Sequence, residues 1–138
     1  MIILDTNVIS ELMRPEPSPK VSEWLTRQKP LLLAVTTITI AEITQGLADL
    51  PRGKRRTRLE TAFTSFTRDA FAKRILPFDL AAAESYAQVS AKRKKKGLHA
   101  DSVDMMIAAI AASTDAAIAT RNTGDFSNCG IKLINPWS

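Results

Sequence analysis

Residues 2–11 read Ile2-Ile3-Leu4-Asp5-Thr6-Asn7-Val8-Ile9-Ser10-Glu11. A short apolar run without alternation fits a strand buried on both faces, and the acid that follows it ends the strand. From Thr6 to Met13 the pattern is helical until Pro15, Pro17 and Pro19 break it. A strand passing through one acid directly into a helix is the first unit of an α/β chain, and the remaining sequence repeats that alternation. Leu31–Val35, Ile75–Phe78 (shortened by Pro77), Ala116–Thr120 and Lys132–Ile134 read as further strands. Between them, helices are predicted from Pro19 to about Gln28, from Ile38 to Leu50, after Gly53, from Leu80 to Lys96, and from Asp101 to Thr114. Gly97 ends the fourth of these, and Val103, Met106, Ile107 and Ile110 form the apolar stripe of the last. The expected architecture is one α/β domain over residues 1–138, with a mostly parallel sheet of about five strands flanked by helices. Such sheets bind ligands beyond the carboxyl ends of their strands, where the strand order reverses. Trp24 has two readings on its helix, an ordinary core residue or part of an apolar interface.

Composition narrows the class. The chain has 138 residues, 45% hydrophobic and 24% charged, so it is globular rather than disordered. A chain of this size buries roughly two-thirds of its unfolded surface and needs no disulfide. Its one cysteine, Cys129, has no intrachain partner and rules out a zinc site built on several thiolates. No apolar run approaches the roughly 20 residues of a membrane helix, so the expected location is the cytoplasm, with no membrane partner. Nineteen Lys and Arg against fourteen Asp and Glu give a net charge of +5. Ten of those cations fall in two clusters, residues 52–58 and 92–96. Such clusters suit a polyanion, whose phosphates release counterions when neutralised. The 92–96 run equally suits the C-terminal end of a helix. Aromatic residues are too few for a base-stacking platform.

The acids fall where the sheet would expose a ligand. Asp5 closes the first strand, Glu42 follows the second, Asp104 lies in the helix before the fourth, and Asn122 and Asp125 follow that strand. Two like charges about 4 Å apart repel by roughly 4 kcal/mol at an effective dielectric near 20. A cluster of this kind shares protons or gathers a cation. Without a His or Cys cluster the all-oxygen set favours a hard ion, Mg²⁺ or Mn²⁺. Local explanations compete for each acid. Asp5 is a natural helix cap, and Thr39-Ile40-Ala41-Glu42 fits a capping box with Glu42 turned from the apolar face. Asp101 suits a helix start, and Asp125 a turn around Gly124. Asp104 has no obvious salt-bridge partner and is flanked by small residues that leave room for an ion and a substrate.

These residues carry a resemblance. Ile3-Leu4-Asp5-Thr6-Asn7-Val8-Ile9-Ser10-Glu11, Thr39-Ile40-Ala41-Glu42, Arg74-Ile75-Leu76-Pro77-Phe78-Asp79, Asp104-Met105-Met106-Ile107-Ala108-Ala109, Ala119-Thr120-Arg121-Asn122-Thr123 and Asn135-Pro136-Trp137 follow one another in family order along the chain. The sequence resembles the PIN-domain endoribonuclease toxins of the VapC family, most closely the FitB-like branch. The resemblance implies a metal-dependent endoribonuclease, the toxin of a toxin–antitoxin system, inhibited by a cognate antitoxin. It also implies a homodimer and a larger toxin–antitoxin complex on operator DNA. Asp5, Glu42 and Asp104 fall on acidic site positions, with Asp5 and Asp104 as the principal metal ligands. Thr6, Asn7 and Thr120 would bind a phosphate or hold the carboxylates. At the fourth acidic position this chain departs from the pattern. FitB-like relatives can carry Asp where this chain has Asn122, while many VapC-like chains pair an Asn there with an acid three residues on, here Asp125.

Two other classes share parts of this pattern. Aspartyl-phosphate phosphatases and receiver domains also place an Asp after the first strand, but the phosphatases require a second Asp two residues on, where this chain has Asn7. A catalytically weak PIN-fold protein-binding module is the other alternative, kept open by Asn122.

Overall fold

The computed structural model describes residues 1–138. Five strands, β1 (Ile2–Leu4), β2 (Leu33–Thr36), β3 (Ile75–Leu76), β4 (Ala117–Ala119) and β5 (Leu133–Ile134), form one sheet in the order β3-β2-β1-β4-β5. Every neighbouring pair is parallel, with Ile3 opposite Ala34 on one side and Ile118 on the other. Seven helices cover it: α1 (Thr6–Leu12), α2 (Pro19–Thr26), α3 (Thr37–Ala48), α4 (Lys54–Ser65), α5 (Leu80–Lys95), α6 (Ser102–Thr114) and α7 (Thr123–Phe126). No helix is long and apolar enough to cross a membrane.

The two-residue side-chain period of the strands divides the core between the two faces of the sheet. Ile3, Ala34 and Ile118 pack with Val89 of α5, with Met105, Ile107 and Ile110 of α6, and with Phe126. Leu4, Leu33, Val35 and Ala119 pack on the other face with Val8, Ile9, Val21, Trp24, Ile43 and Phe63. Trp24 is therefore a core residue, only 9% exposed. Ala108, Ala109 and Ala111 of α6 are fully buried, and their small side chains let this helix approach the sheet closely. The chain builds outward from β1 through β2 to β3, then returns to place β4 on the other side of β1. The order reverses between β1 and β4, and β1 leads into Asp5 while β4 leads into Thr120.

Several boundaries differ from the sequence expectation. Pro30–Leu32 form a 3-10 turn rather than the start of a strand, leaving Leu31 and Leu32 exposed. Helix α3 begins at Thr37, because the Thr36 hydroxyl caps it by accepting the Thr39 N–H at 3.1 Å. Glu42 is thus the sixth residue of the helix and takes no part in a capping box. Strand β3 ends at Leu76, before Pro77. Helix α4 continues as one π turn over Phe66–Ala70, and Asp125 lies on the single-turn helix α7 that contains Gly124. The 92–96 run does end a helix, but Arg93 is buried: Nε donates to His99 O, and Nη1 donates to Gly124 O and Ser127 O, each at 2.8 Å. Cys129 is buried beside Met105, with Sγ 3.9 Å from Sδ, and burial pushes its thiol up.

Candidate active site

Asp5 stands at the reversal of the strand order. Its main-chain N–H continues the sheet by donating to Ala119 O at 2.9 Å, and its side chain caps α1. Oδ1 accepts the Thr6 N–H at 2.8 Å, and Oδ2 accepts from Thr120 Oγ1 at 2.8 Å and from Asn7 Nδ2 at 3.3 Å. Capping and site membership are therefore one arrangement, because the cap fixes where the carboxylate points. Thr120 is fully buried, and its hydroxyl oxygen also accepts the Asn122 N–H at 3.0 Å and Asn7 Nδ2 at 3.2 Å. Asn7 completes the bracket by accepting the Arg121 N–H at 3.2 Å. Thr6, Asn7 and Thr120 thus orient groups around Asp5.

Glu42 comes from α3. Thr6 Oγ1 donates to Glu42 Oε1 at 2.7 Å and lies 3.1 Å from the buried Thr39 hydroxyl, itself 3.4 Å from Thr36 Oγ1. This hydroxyl chain runs from the end of β2 to the carboxylate. Asp104 sits in the first turn of α6, where its N–H donates to the capping Asp101 Oδ2 at 3.0 Å. Asp5, Glu42, Asp104 and Asn122 line one open cavity of about 520 Å³, together with Thr6, Asn7, Ser10, Glu11, Arg14, Arg121 and Trp137. Asp125 is not among its walls. It is exposed on α7, close enough for its charge to act on both Asp5 and Asp104.

The electrostatics follow from burial. Desolvation raises the Asp5 carboxyl, the Thr120 and Thr6 hydrogen bonds oppose it, and the Glu42 and Asp125 charges add to the rise. Asp104 is pushed up to about 7, first by burial and then by the charges of Asp101, Asp5, Asp125 and Glu42. The chain's two ion pairs, Arg14–Glu11 and Arg56–Glu60, involve none of these acids. An uncompensated, partly dry carboxylate cluster with only oxygen donors is the environment a hard divalent cation relieves. No three His, Cys, Asp or Glu side chains are grouped so as to hold a metal ion by themselves. Open sites of this kind suit Mg²⁺, which usually takes one or two carboxylates and completes its shell with water and substrate phosphate.

The PIN domain family model matches residues 2–131. This chain is a PIN domain of the VapC family. Among its relatives, the VapC ribonuclease Y4jK of Sinorhizobium fredii is 44% identical, covering 99% of this chain and 98% of the relative. Toxin FitB of Neisseria gonorrhoeae is 39% identical, covering 99% of both chains. The solved structure of FitAB bound to the IR36 DNA fragment superposes with a TM-score of 0.94 at 39% identity, over 100% of this chain and 96% of that one. These likenesses place this PIN domain in the FitB-like branch.

Motif reading had not singled out several residues of this PIN domain's cavity as site residues: Ser10, Glu11, Arg14, Arg121 and Trp137. Arg121 and Trp137 lie inside two of the family stretches, but their meeting needs the C-terminal tail to fold back against the loop after β4. No local pattern encodes that contact.

Proposed function

We propose that this chain is the toxin of a toxin–antitoxin pair, a metal-dependent endoribonuclease that hydrolyses RNA phosphodiester bonds. The observation that carries this reading is the meeting of Asp5, Glu42 and Asp104, remote in sequence and free of any basic partner, around one cavity. Asp5 and Asp104 are the residues suited to hold Mg²⁺, or Mn²⁺. When bound, such an ion activates water for attack and stabilises charge on the scissile phosphate. Asp5 is oriented for this by Thr6, Asn7 and Thr120. Glu42, steadied by Thr6, orients the attacking water and takes its proton. Asn122 contributes a neutral oxygen or a hydrogen bond at the wall, and Asp125 supplies the fourth negative charge from the rim.

The names of the relatives support the remaining assignments. A cognate antitoxin is the expected inhibitor, and a homodimer joined to it on operator DNA is the expected larger assembly, as the FitAB complex with its DNA fragment suggests. Such a pair would work in the cytoplasm. Asn122, in place of an acid, favours the second reading, a catalytically weak PIN-fold module that binds protein partners.

Incubation of the purified chain with structured RNA decides between them. Cleavage is expected with Mg²⁺ or Mn²⁺, abolished by EDTA and reduced at least 100-fold, roughly the loss of one catalytic group, in Asp5→Asn and Asp104→Asn. Cleavage that survives EDTA and both substitutions would overturn the assignment. A folded wild-type chain that cleaves nothing with either ion would favour the binding module.

A further inference from the structure

Two arginines line the acid cavity. Arg14 is committed: Nη1 lies 3.2 Å from Glu11 Oε2, and the same carboxylate oxygen accepts the Ser18 N–H at 3.0 Å, fastening the proline-rich turn after α1. Arg121 has no carboxylate partner, although the cavity is acidic. Its guanidinium instead lies over the Trp137 ring, 5.2 Å from the centroid. Both ends of that pair are held. The Arg121 N–H donates to Asn7 Oδ1, the residue that brackets Asp5. The Trp137 N–H donates to Asn135 Oδ1 at 2.9 Å, and the side chain packs against the core on the α1–α4 face.

We infer that Arg121, steadied by Trp137, anchors a backbone phosphate of the RNA strand as it crosses the acid cavity. The inference rests on the nuclease reading and deepens it by naming a substrate-binding residue. A cavity of several carboxylates repels a polyanion, and a positive side chain on its wall that those carboxylates have not neutralised adds to the attraction a bound divalent ion would supply. An aromatic face holds a guanidinium in place without cancelling its charge. The planar fork then meets two phosphate oxygens in one fixed geometry, whereas a lysine ammonium acts as a compact point charge. Because the side chain is already positioned, little rotamer freedom is lost on binding. The other basic face near the site, Arg55 and Arg58, lines a neighbouring groove that shares Thr6, Ser10, Arg14 and Glu42 with the cavity. Those two arginines add attraction at a distance, whereas Arg121 stands on the cavity wall itself.

The test separates binding from cleavage. A fluorescent single-stranded RNA oligonucleotide is titrated in EDTA against wild type, Arg121→Gln, Arg121→Lys and Trp137→Phe over a range of salt. Arg121→Gln should weaken binding about tenfold, the usual worth of a charged hydrogen bond. It should also lower the magnitude of the salt slope by about 0.7, the value of one phosphate on a single strand. Arg121→Lys should recover only part of the affinity, and Trp137→Phe should fall between wild type and Arg121→Gln. With Mg²⁺ present, Arg121→Gln should raise KM more than it lowers kcat. Wild-type affinity and slope in Arg121→Gln, with only the melting temperature lowered, would overturn the proposal and reduce Arg121 to a clasp for the C-terminal tail. Failure of the wild-type chain to bind RNA would overturn it as well. Arg121-dependent binding in a chain that cleaves nothing would sink the nuclease reading but leave the anchor standing.

Discussion

Asp104 keeps a proton in the folded chain that it has released in the unfolded one at the same pH. Its folded value is about 7 against an ordinary 3.8, raised chiefly by burial and next by Asp101. Between those values the folded state binds more protons, so the penalty from this group grows as pH rises and is complete above about 7. Calorimetry of the metal-free protein should therefore show Asp104→Asn melting above wild type at about pH 8, with the gap closing towards about pH 4. Saturating Mg²⁺ should raise the wild-type melting temperature and shrink the gap. A wild-type chain as stable as Asp104→Asn at the higher pH without metal would mean that the site is better solvated than its burial indicates. The sequence pointed to Asp5 because it closes a strand, and to Asp104 because small residues flank it and no salt-bridge partner stands near it. Glu42 was harder to read, since the β-branched run Thr36-Thr37-Ile38-Thr39 hides the true helix start and makes a mid-helix acid look like part of a cap. The pairing of Arg121 with Trp137 carried no signal, because the two come from stretches far apart in the chain.

Helix α5 shows how an element can convert charge into position. Its last turn carries Lys92, Arg93, Lys94 and Lys95, which suits the negative end of a helix. Arg93 alone turns inward, and by gripping Gly124 O and Ser127 O it fixes α7, the helix that presents Asp125. Arg93→Ala should cost about 3 kcal/mol in denaturant unfolding, because it removes the charged hydrogen bonds that the buried guanidinium makes to three main-chain carbonyls. Lys94→Ala should change stability by less than about 0.5 kcal/mol. Equal effects from the two would show that the run acts only through bulk charge. The sequence shows the run, but the choice of one inward member depends on contacts thirty residues away. The same limit explains the strand errors. Leu31 and Leu32 are as apolar as Leu33, yet Pro30 starts a turn there and no neighbouring segment covers them. Where apolar runs were both short and bounded, as at Ile2–Leu4 and Ala117–Ala119, the reading agreed with the structure to within a residue or so.

For the molecule as a whole, the alternation of strands and helices was enough to predict a parallel sheet with its ligand end at the strand termini. The strand order β3-β2-β1-β4-β5 was not legible, because nothing local says on which side of β1 the chain returns. That return makes the site, since it brings the end of β4 beside the end of β1 and closes Thr120 on Asp5. A site assembled from both halves of the chain couples ion binding to global stability. Mg²⁺ at about 100 times its dissociation constant should stabilise the protein by about 2.7 kcal/mol, and Asp5→Asn should abolish most of that gain in a thermal melt.

The outer strands β3 and β5 have only two residues each. A border that short offers a foreign peptide too few main-chain bonds to be extended as a template. Copies of this protein made in excess are thereby guarded against zipping into fibrils, and any partner that captures the chain must grip helices, loops or the tail rather than lengthen the sheet.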